Sequence, residues 1–459
     1  MTAAGDGATE AAKQSEFAAA LTAADLEWQA VAEDDQLSVA GVQPAYVCTP
    51  ANVDEVSGAV RAASAAGRAV IPWGAGTRMG IGFPPRAADL VLKTTRLNEI
   101  VEYEPADLTV TVQAGMLLGD LQARLHAEGQ MLALDPAAAD RATIGGLIAA
   151  NASGPLRLIY GTARDIVIGT RVVNADGVIS KAGGRVVKNV AGYDLNKLYV
   201  GSLGTVGVIV ELSFKLHPLP ANEGMLLASF KTAADAAAPI AALMRSPLGP
   251  AAVELLDAGM AAGLPGGLTV DNDGVVLAVS AQGFEKAIVR QLHDIQEMCG
   301  QATGTQAVRE GETLNGIWSH LREFSDPSGA EMALLKLAVP PARSTVALAT
   351  ARTAAREAGF VPQIQAHAGS GVLYLKLQLE TWTADALGQL ASLVTRLRGF
   401  TRGEGGSLVL EACPLAALQG DAAIDPWGDV GSGFPVMRAL KENLDPKGTL
   451  NPGRFVGHL

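Results

Sequence analysis

Cysteine is scarce in this chain, and the cysteines that are present form no short motif. Cys48, Cys299 and Cys413 are the three cysteines of a 459-residue sequence, and no CxxC pair occurs. An odd number of widely spaced cysteines argues against a disulfide framework, a thiolate zinc site and a cysteine-held iron–sulfur cluster. These three kinds of site are therefore not expected.

Long apolar runs and an excess of positive charge are also missing. No apolar run approaches the roughly 18–20 residues that cross a bilayer, and the N-terminal MTAAGDGATEAAKQSEF has neither the basic start nor the hydrophobic centre of a secretory signal. The net charge of -12 argues against nucleic acid or an anionic membrane as the main partner. We expect a cytoplasmic chain without a transmembrane segment.

Small residues are abundant instead. The chain contains 52 glycines and only 5% aromatic residues, a composition that suits tight turns and close backbone packing. Its 49% hydrophobic and 18% charged residues are typical of a globular protein. Because the chain is about three times as long as a domain of ~150 residues, two or three domains are expected.

Prolines and changes of pattern divide the chain into four segments. The first is an Ala-rich, acidic arm with a short helix, in which Phe17 and Leu21 lie one turn apart. The second alternates short strands and helices and ends at Pro218 and Pro220. The third alternates again, which predicts a second α+β domain, and the last is a helix followed by turns. The predicted segments are 1–41, 42–220, 221–415 and 416–459.

The first candidate motif is PWGAGTRMGIG, residues 72–82, which directly follows a predicted strand. Its glycines allow consecutive backbone N–H groups to form a concave site for a phosphate. The spacing is not GxGxxG, and the Gly-Lys-Ser/Thr ending of a triphosphate loop is absent, so a nicotinamide site and a P-loop are disfavoured. A simple glycine-rich turn remains the alternative.

The second candidate is ATIGGLIAANASG, residues 142–154, in which Thr143 is a plausible N-cap. Each glycine costs roughly 1 kcal/mol relative to alanine inside a helix, so the adjacent Gly145 and Gly146 need a reason. We expect them to expose the first free N–H groups of a helix, where a pyrophosphate fits. A small-residue helix packed on a sheet is the alternative.

The third candidate is GGRVVKNVAGYDLNKLYVGSLGTVGVIVE, residues 183–211. A surface loop followed by a core strand would explain it, but a planar ring stacked along a glycine-rich backbone explains it better. Its polar and glycine positions are Lys188, Asn189, Asp194, Lys197, Gly192, Gly201, Gly204 and Gly207.

Taken in order, these motifs resemble those of a known family. PWGAGT, DP…ATIGG…NASG, YG…RD, GGRVVKN…GYDLNKL…GSLGTVGVI and LDPKGTLNPGR are similar to the flavin-binding oxidases of the vanillyl-alcohol oxidase and p-cresol methylhydroxylase type. More narrowly, they resemble the FAD-binding subunits of bacterial glycolate oxidases. The resemblance is strong over residues 42–220, good over the last 25 residues and loose between them.

The resemblance implies an α+β fold: a two-subdomain FAD-binding domain of the p-cresol methylhydroxylase (PCMH) type, an α+β cap (substrate) domain, and a short C-terminal segment that returns to the flavin. The FAD pyrophosphate would lie between residues 72–77 and the entrance at residues 143–146, and Asn451 would close the flavin pocket. No histidine occupies an identifiable covalent-attachment position, so non-covalent FAD is expected. The implied cofactor-binding residues are Pro72, Gly74, Ala75, Gly76, Thr77, Asp135, Pro136, Thr143, Gly145, Gly146, Asn151, Ser153, Gly204, Val208 and Asn451.

The resemblance weakens at the substrate site. Related 2-hydroxy-acid dehydrogenases bind a divalent metal through HxGDGNxH and a Glu that precedes HG, whereas this chain has HAGSGVLY and LEACP. It keeps His367 and Glu411 but has Tyr374 in place of the second histidine. We interpret His367 as a structural histidine beside a core strand, expect no metal, and assign no catalytic residue.

The implied function is oxidation of glycolate or a related short 2-hydroxy acid to the 2-oxo acid, as the FAD-binding subunit of a complex. A second flavoprotein subunit and an iron–sulfur subunit are the implied partners, and attachment to the inner membrane through them is left open. A non-catalytic subunit that holds FAD for electron relay or structure is the alternative, and a stand-alone sugar or aldonolactone oxidase is a more distant one.

Overall fold

The computed structural model describes residues 3–32, 36–185, 193–266, 268–328, 331–420 and 423–459, and it describes the backbone but not the side chains of residues 3–12. Lys188, Asn189 and Gly192 of the third motif lie outside these residues. Helices and strands are mixed along the chain, so the α+β class predicted from the sequence is confirmed. None of the described helices is long and apolar enough to cross a membrane.

The N-terminal part of the chain forms a small sheet that carries the first glycine motif. The strand order of this sheet is β1-β2-β4-β3, and two of its three pairings, β2 with β4 and β4 with β3, are parallel. The glycine motif therefore starts where β3 leaves the edge of a parallel sheet. The elements are α1 Ala3–Ala23, β1 Trp28–Ala30, β2 Tyr46–Cys48, α2 Val53–Ala66, β3 Val70–Trp73 and β4 Leu90–Lys93.

Two helices pack on this sheet. Helix α2 begins where the side chain of Asn52 accepts the N–H of Glu55 at 2.9 Å, and it ends at Gly67 with φ 65°. Helix α1 is longer than the short helix predicted from the sequence, and it packs against α2 through the buried Phe17 and Leu21. These contacts cover the sheet face opposite to the one on which Trp73 and Val91 pack with Val39.

A second, antiparallel sheet has the strand order β5-β6-β10-β8-β9. The alternation of Leu108, Val110 and Val112 with polar residues predicts a half-buried strand over this stretch. In β6, Val110 and Val112 are buried against α3 and α4, whereas Leu108 has φ 54° and lies just before the strand. The elements are β5 Ile100–Glu104, β6 Thr109–Gln113, α3 Leu118–His126, β7 Gln130–Met131, α4 Ile144–Ala149, α5 Arg157–Tyr160, α6 Ala163–Ile166, β8 Val167–Val173, β9 Ile179–Gly183, α7 Asn196–Tyr199 and β10 Val208–Lys215.

The third region is built on one large antiparallel sheet with the order β15-β12-β14-β13-β17-β18-β16-β19, which we call the cap sheet. Helices α8, α10, α12 and α13 bury one of its faces, and α9 and α11 cover part of the other. The rest of that second face meets α5 of the preceding region. The elements are β11 His217–Pro218, β12 Asn222–Phe230, α8 Ala237–Arg245, β13 Ala252–Asp257, α9 Ala258–Ala261, β14 Val275–Gly283, α10 Glu285–Met298, β15 Gly304–Val308, α11 Gly311–Glu323, β16 Met332–Ala338, α12 Ser344–Glu357, β17 Gln363–His367, β18 Val372–Gln378, α13 Ala384–Gly403 and β19 Ser407–Ala412.

The C-terminal segment returns to the first sheet. After α14 (Phe434–Leu444), Leu450 forms a parallel bridge with Val70 of β3. The N–H of Val70 donates to the carbonyl of Thr449 at 2.7 Å, and the N–H of Asn451 donates to the carbonyl of Val70 at 2.9 Å. The chain end is thus fixed beside the first glycine motif, although the domain boundaries at 41, 220 and 415 stay predictions.

Candidate functional site

A cavity lies where four segments that are distant in sequence meet. They are the loop after β3, the entrance of α4, the start of β10 and the C-terminal segment. The predicted site residues that line it are Pro72, Gly74, Ala75, Gly76, Thr77, Thr143, Gly145, Gly146, Gly204, Val208 and Asn451. The cavity is also lined by Arg78 and Arg454, which the sequence reasoning missed. That each of these residues contacts FAD stays a prediction.

The two predicted phosphate loops are in direct contact. A Cβ atom added to Gly74 would lie 2.1 Å from Oγ1 of Thr143, so only glycine fits there. Thr143 itself caps α4, because its Oγ1 accepts the N–H of Gly146 at 3.3 Å. The loop and the helix entrance therefore form one continuous wall of the cavity.

The two glycines of α4 are required for different reasons, and the expectation that both expose free N–H groups is wrong. The N–H of Gly145 donates to the carbonyl of Ala114 at 2.7 Å, and the N–H of Gly146 donates to Oγ1 of Thr143 at 3.3 Å. The N–H of Ile144 likewise donates to the carbonyl of Met116 at 2.8 Å. A Cβ at position 145 would lie 2.7 Å from that of Ala114. Gly145 is thus required by close packing on the end of β6. At Gly146 an added Cβ would meet only Thr143 within 4 Å, so this position faces the cavity.

Buried polar atoms without a partner among the described residues converge on the same cavity. They are Oδ1 of Asn451, Nε of Arg454 and Nε of Arg78. The guanidinium of Arg454 donates to the carbonyls of Met79 and Ile81 at 2.5 and 2.7 Å, and within the described part of the chain it forms no ion pair with a carboxylate. Burial lowers its pKa to about 10. An anionic group with many hydrogen-bonding atoms, such as the FAD dinucleotide, fits this set.

Asn451 is held in place by the backbone of the third motif. Its Nδ2 donates to the carbonyl of Leu203 at 2.5 Å, and its own φ of 44° lies in the left-handed region. Gly204, with φ 70°, packs against Pro72, since an added Cβ would lie 3.2 Å from its ring. These contacts join the C-terminal segment, the third motif and the first glycine motif around the cavity.

Lys441 of α14 is expected to hold this arrangement together. Its buried ammonium donates to Thr205 O, Leu450 O and a carboxylate oxygen of Asp445 at 2.7, 2.9 and 2.6 Å. Substitution of Lys441 by methionine leaves the buried Asp445 without its cation, at a cost of about 3–5 kcal/mol. We expect faster loss of FAD from the purified protein, measured by flavin fluorescence after gel filtration.

The matched control for this prediction is Lys447→Met in the same segment, an exposed lysine that donates to Ser64 O at 2.9 Å. FAD retention equal in the two variants would contradict the prediction. The double variant Lys441→Met/Asp445→Asn should recover part of the loss, because it removes the uncompensated charge.

Four predicted residues do not line the cavity. The carboxylate of Asp135 is buried and accepts the N–H of Leu156 at 3.0 Å, and burial raises its pKa to about 7. Pro136 is buried beside it, and Asn151 is exposed at the end of α4. Oγ of Ser153 accepts the N–H of Ala163 at 3.1 Å and so caps α6. Contact of these four residues with FAD stays a prediction.

The cap sheet carries a row of polar side chains on the face that meets α5. Lys336 of β16 lies directly opposite Tyr374 of β18, and its ammonium is 2.8 Å from the carboxylate of Glu411. The pairing of β16 and β19 shifts between Leu334 and Leu335, and this irregularity leaves Glu411 as the extra residue. Bulges of this kind re-aim a side chain, and here the carboxylate is turned toward Lys336.

A second polar pair lies beside the first. His367 of β17 is directly opposite Glu254 of β13, and its Nδ1 is 2.8 Å from both carboxylate oxygens. The amide of Gln365 donates to the same carboxylate at 2.8 Å. The ring of Tyr374 meets that of His367 edge-on, with centroids 5.7 Å apart. We call the set Lys336, Glu411, Tyr374, His367, Glu254 and Gln365 the polar face.

Arginines from the N-terminal half act on the polar face. Burial alone would raise the pKa of Glu411, but Lys336, Arg78 and Arg157 outweigh burial and hold it below its usual range. Burial lowers the pKa of His367, against the opposing charge of Glu254, and Arg157 adds to the lowering. Arg78 also lines the cavity, so its charge links the cavity to the polar face.

The positions that correspond to metal ligands in related dehydrogenases do not form a ligand cluster here. His367 faces Glu254 and Glu411 faces Lys336, while Tyr374, which stands in place of the second histidine, meets the ring of His367 edge-on. Across the described ranges, no group of three or more His, Cys, Asp or Glu side chains is placed to hold a metal ion. That the protein binds no metal stays a prediction.

Comparison with known proteins also indicates a protein that binds FAD. Residues 44–183 match the sequence family of the FAD binding domain, and residues 219–411 and 429–455 match the C-terminal domain of FAD linked oxidases. The chain is 30% identical over 444 residues to the glycolate oxidase subunit GlcD of Bacillus subtilis, covering 90% of this chain and 89% of that protein. It is 29% identical to a D-lactate dehydrogenase of Archaeoglobus fulgidus, covering 90% and 91%.

A solved structure shares the fold. The structure of p-cresol methylhydroxylase with substrate bound superposes with a TM-score of 0.73 at 17% identity, covering 96% of each chain. The predicted PCMH-type fold with a following α+β domain is therefore confirmed. FAD is the cofactor that both matched sequence families share.

Proposed function

Because the chain belongs to the family of FAD-linked oxidases, we propose that it is the FAD-binding subunit of a glycolate oxidase complex. In this function it oxidises glycolate, or a related short 2-hydroxy acid, to the 2-oxo acid. The relatives named above, a glycolate oxidase subunit and a D-lactate dehydrogenase, support oxidation of a 2-hydroxy acid. FAD, held non-covalently, is the acceptor of the two electrons that the substrate loses.

The observation that carries the proposal is the polar face beside the cofactor cavity. A short 2-hydroxy acid is an anion, and three cations act on the polar face: its own Lys336, and Arg78 and Arg157 from the N-terminal half. Glu411 neutralises Lys336, whereas neither Arg78, which lines the cavity, nor Arg157 forms an ion pair within the described ranges. The guanidinium of Arg157 donates to the carbonyls of Ser153 and Gly154, and we propose that it also attracts the substrate carboxylate.

The same observation argues against the relay alternative. A subunit that only held FAD would have no need for two buried carboxylates, a half-buried lysine and a buried histidine on this face, since burial of such groups is costly. A stand-alone sugar oxidase would need a site for several hydroxyl groups, whereas the polar face is largely ionic. We therefore place substrate oxidation in this chain.

Partner subunits are needed to carry the electrons onward. Cys48 and Cys299 are buried with pKa values raised to about 12 and about 11, and Cys413 is distant from both in sequence, so none of them suits a cluster. We propose a second flavoprotein subunit and an iron–sulfur subunit as the electron path. The relative from Bacillus subtilis is named as a subunit of glycolate oxidase, which supports the proposal that this chain works in a complex.

Glycolate is expected to bleach the flavin absorbance of the chain co-purified with its partners under anaerobic conditions. D-lactate and L-lactate serve as comparison substrates, because they differ from glycolate by one methyl group and its stereochemistry. Elemental analysis of the same sample should show no stoichiometric metal, and prior treatment with EDTA should leave the rate unchanged. If no 2-hydroxy acid bleaches the flavin, although the reductant dithionite does, the relay function is correct instead.

A further inference from the structure

The pair of His367 and Glu254 has the geometry of a proton-accepting dyad. Both side chains are buried, with 3% and 1% of their surface exposed. The Nδ1–H of His367 donates to the carboxylate of Glu254, whose two oxygens are both 2.8 Å away. A histidine fixed in this way carries its proton on Nδ1, so the lone pair is on Nε2.

The second ring nitrogen of this histidine, Nε2, makes no hydrogen bond within the described residues, although it is buried. An unsatisfied buried acceptor costs about 1–3 kcal/mol, and most buried side-chain polar atoms have a hydrogen-bond partner. The free lone pair is explained if a bound molecule brings an O–H group to it.

We propose that Nε2 of His367 accepts the proton of the substrate's 2-hydroxyl group, and that Glu254 is the positioning residue behind it. The inference rests on the proposed function. During oxidation the O–H bond breaks and its proton goes to Nε2, the C2–H bond breaks and its electron pair leaves with the hydrogen as hydride to FAD, and the C2=O bond of the 2-oxo acid forms. The products are the 2-oxo acid, the reduced cofactor and a protonated His367.

The charges around the dyad favour this role. His367 is neutral before the reaction, because burial lowers its pKa and the cations Arg157 and Lys336 add to that effect. Once it has taken the proton, the carboxylate of Glu254 stabilises the imidazolium at 2.8 Å. The groups that face His367 from the packed elements are Glu254 on β13, Lys336 on β16, Tyr374 on β18 and Arg157 on α5, with Glu411 beside Lys336 and Asp135 near Glu254.

The test is His367→Asn, because the asparagine amide can still donate to Glu254 while the position of Nε2 loses its lone pair. We expect FAD content and thermal stability close to those of the wild type, and a loss of about 10²–10⁴-fold in the rate of flavin reduction by glycolate. The smaller His367→Gly should be rescued by added imidazole. A rate within threefold of the wild type in His367→Asn would overturn the inference.

His217 provides the matched control. Its Nε2 is also buried without a partner in the described ranges, and its ring packs on Tyr160 with centroids 4.8 Å apart. No carboxylate of the described chain forms an ion pair with it. His217→Asn should therefore keep the wild-type rate and pH profile, and a loss as large as that of His367→Asn would mean that any buried histidine is needed for the fold, against the inference.

The variant Glu254→Gln tests the pH dependence of the rate, which would not change if Glu254 had only a structural role. The rate should rise with pH as His367 loses its proton, with a midpoint below the ordinary histidine value of about 6.5. Glu254 opposes this lowering, so its replacement by glutamine should move the midpoint to still lower pH and reduce the maximal rate. An unchanged midpoint would contradict the role of Glu254.

A measurement without turnover separates this inference from the proposed function. In the holoprotein labelled with ¹⁵N-histidine, the signals that vanish in His367→Asn should show a protonated Nδ1 and an unprotonated Nε2 at pH 7. The opposite tautomer, or a doubly protonated ring, overturns the inference even if glycolate is oxidised. If the tautomer is as expected but no 2-hydroxy acid reduces the flavin of the wild type, the proposed function fails and the dyad serves another substrate.

Discussion

Replacement of Gly146 by valine should weaken FAD binding by about 100-fold while the secondary structure is retained. Gly146 lines the cavity, and an added Cβ would meet only Thr143 Oγ1 at 3.1 Å before open space. A branched side chain therefore projects into the volume that the cofactor needs, and overpacking of this size costs about 1–3 kcal/mol, the upper end of which corresponds to about 100-fold in affinity. Valine is a better helix former than glycine, so α4 should persist.

The adjacent Gly145 supplies the control, because it should respond in a different measurement. Its added Cβ would lie 2.9 Å from the carbonyl oxygen and 2.7 Å from the Cβ of Ala114. Gly145→Ala should therefore lower the melting temperature of the apoprotein, whereas Gly146→Val should leave it within a few degrees of the wild type. Titration of both apoproteins with FAD by flavin fluorescence decides the matter. If Gly146→Val binds FAD with wild-type affinity, the entrance of α4 is not part of the cofactor site.

The sequence predicts the local parts of this site well. The glycine loop after β3, the capped entrance at Thr143 and the return of the chain at Asn451 are each written in short stretches, and these stretches meet at one cavity. Turn residues, alternation and capping depend on neighbours within a few positions, so they can be interpreted without the fold. The order of these motifs along the chain resembles that of a known family, and this resemblance implies that they bind one FAD molecule.

Contacts across long sequence separations could not be predicted. The hydrogen bond from the N–H of Gly145 to the carbonyl of Ala114 depends on how β6 ends beside α4. The sequence therefore suggests a single reason for both glycines, whereas in the fold Gly145 is required by packing and Gly146 faces the cavity. His367 has no partner in its own segment, and the register of β17 with β13 brings Glu254 to it from 113 residues away. The bulge at Glu411 likewise follows from strand pairing. Arg78 and Arg454 lie within the first glycine motif and the C-terminal LDPKGTLNPGR, and their positive charge among glycines is the signal that could have revealed them.

Asp135 should make the protein less stable as pH rises, and its replacement by asparagine should remove this effect. Burial raises the pKa of this carboxyl group to about 7, although the N–H of Leu156 and the charges of Arg322 and Arg157 oppose the rise. In the unfolded chain its pKa is about 4. Between about pH 4 and pH 7 the folded state thus holds a proton that the unfolded state has lost, so the free energy of unfolding falls as pH rises through this window.

The size of the effect follows from the difference in pKa. About three pKa units correspond to roughly 4 kcal/mol above pH 7 and to nothing below pH 4. Asp135→Asn keeps a side-chain oxygen that can accept the N–H of Leu156 at a similar distance, and it is neutral at every pH. Its melting temperature should therefore equal that of the wild type near pH 4 and exceed it at pH 8, by about 1 °C for each kcal/mol in a chain of this length.

Asp165→Asn should show the opposite sign and is the control. Asp165 accepts the N–H and the hydroxyl of Thr162, both at 2.8 Å, and these bonds hold the pKa of its carboxyl group below the usual value. The stability that it contributes is present above that usual value and is lost as pH falls, so Asp165→Asn should melt below the wild type at pH 8 and approach it in acid. Calorimetric scans of the three proteins with FAD bound, at pH 4.5, 6 and 8, measure both signs. If Asp135→Asn melts below the wild type at pH 8, Asp135 is ionised in the folded protein, and Arg157 and Arg322 stabilise its charge by more than burial costs.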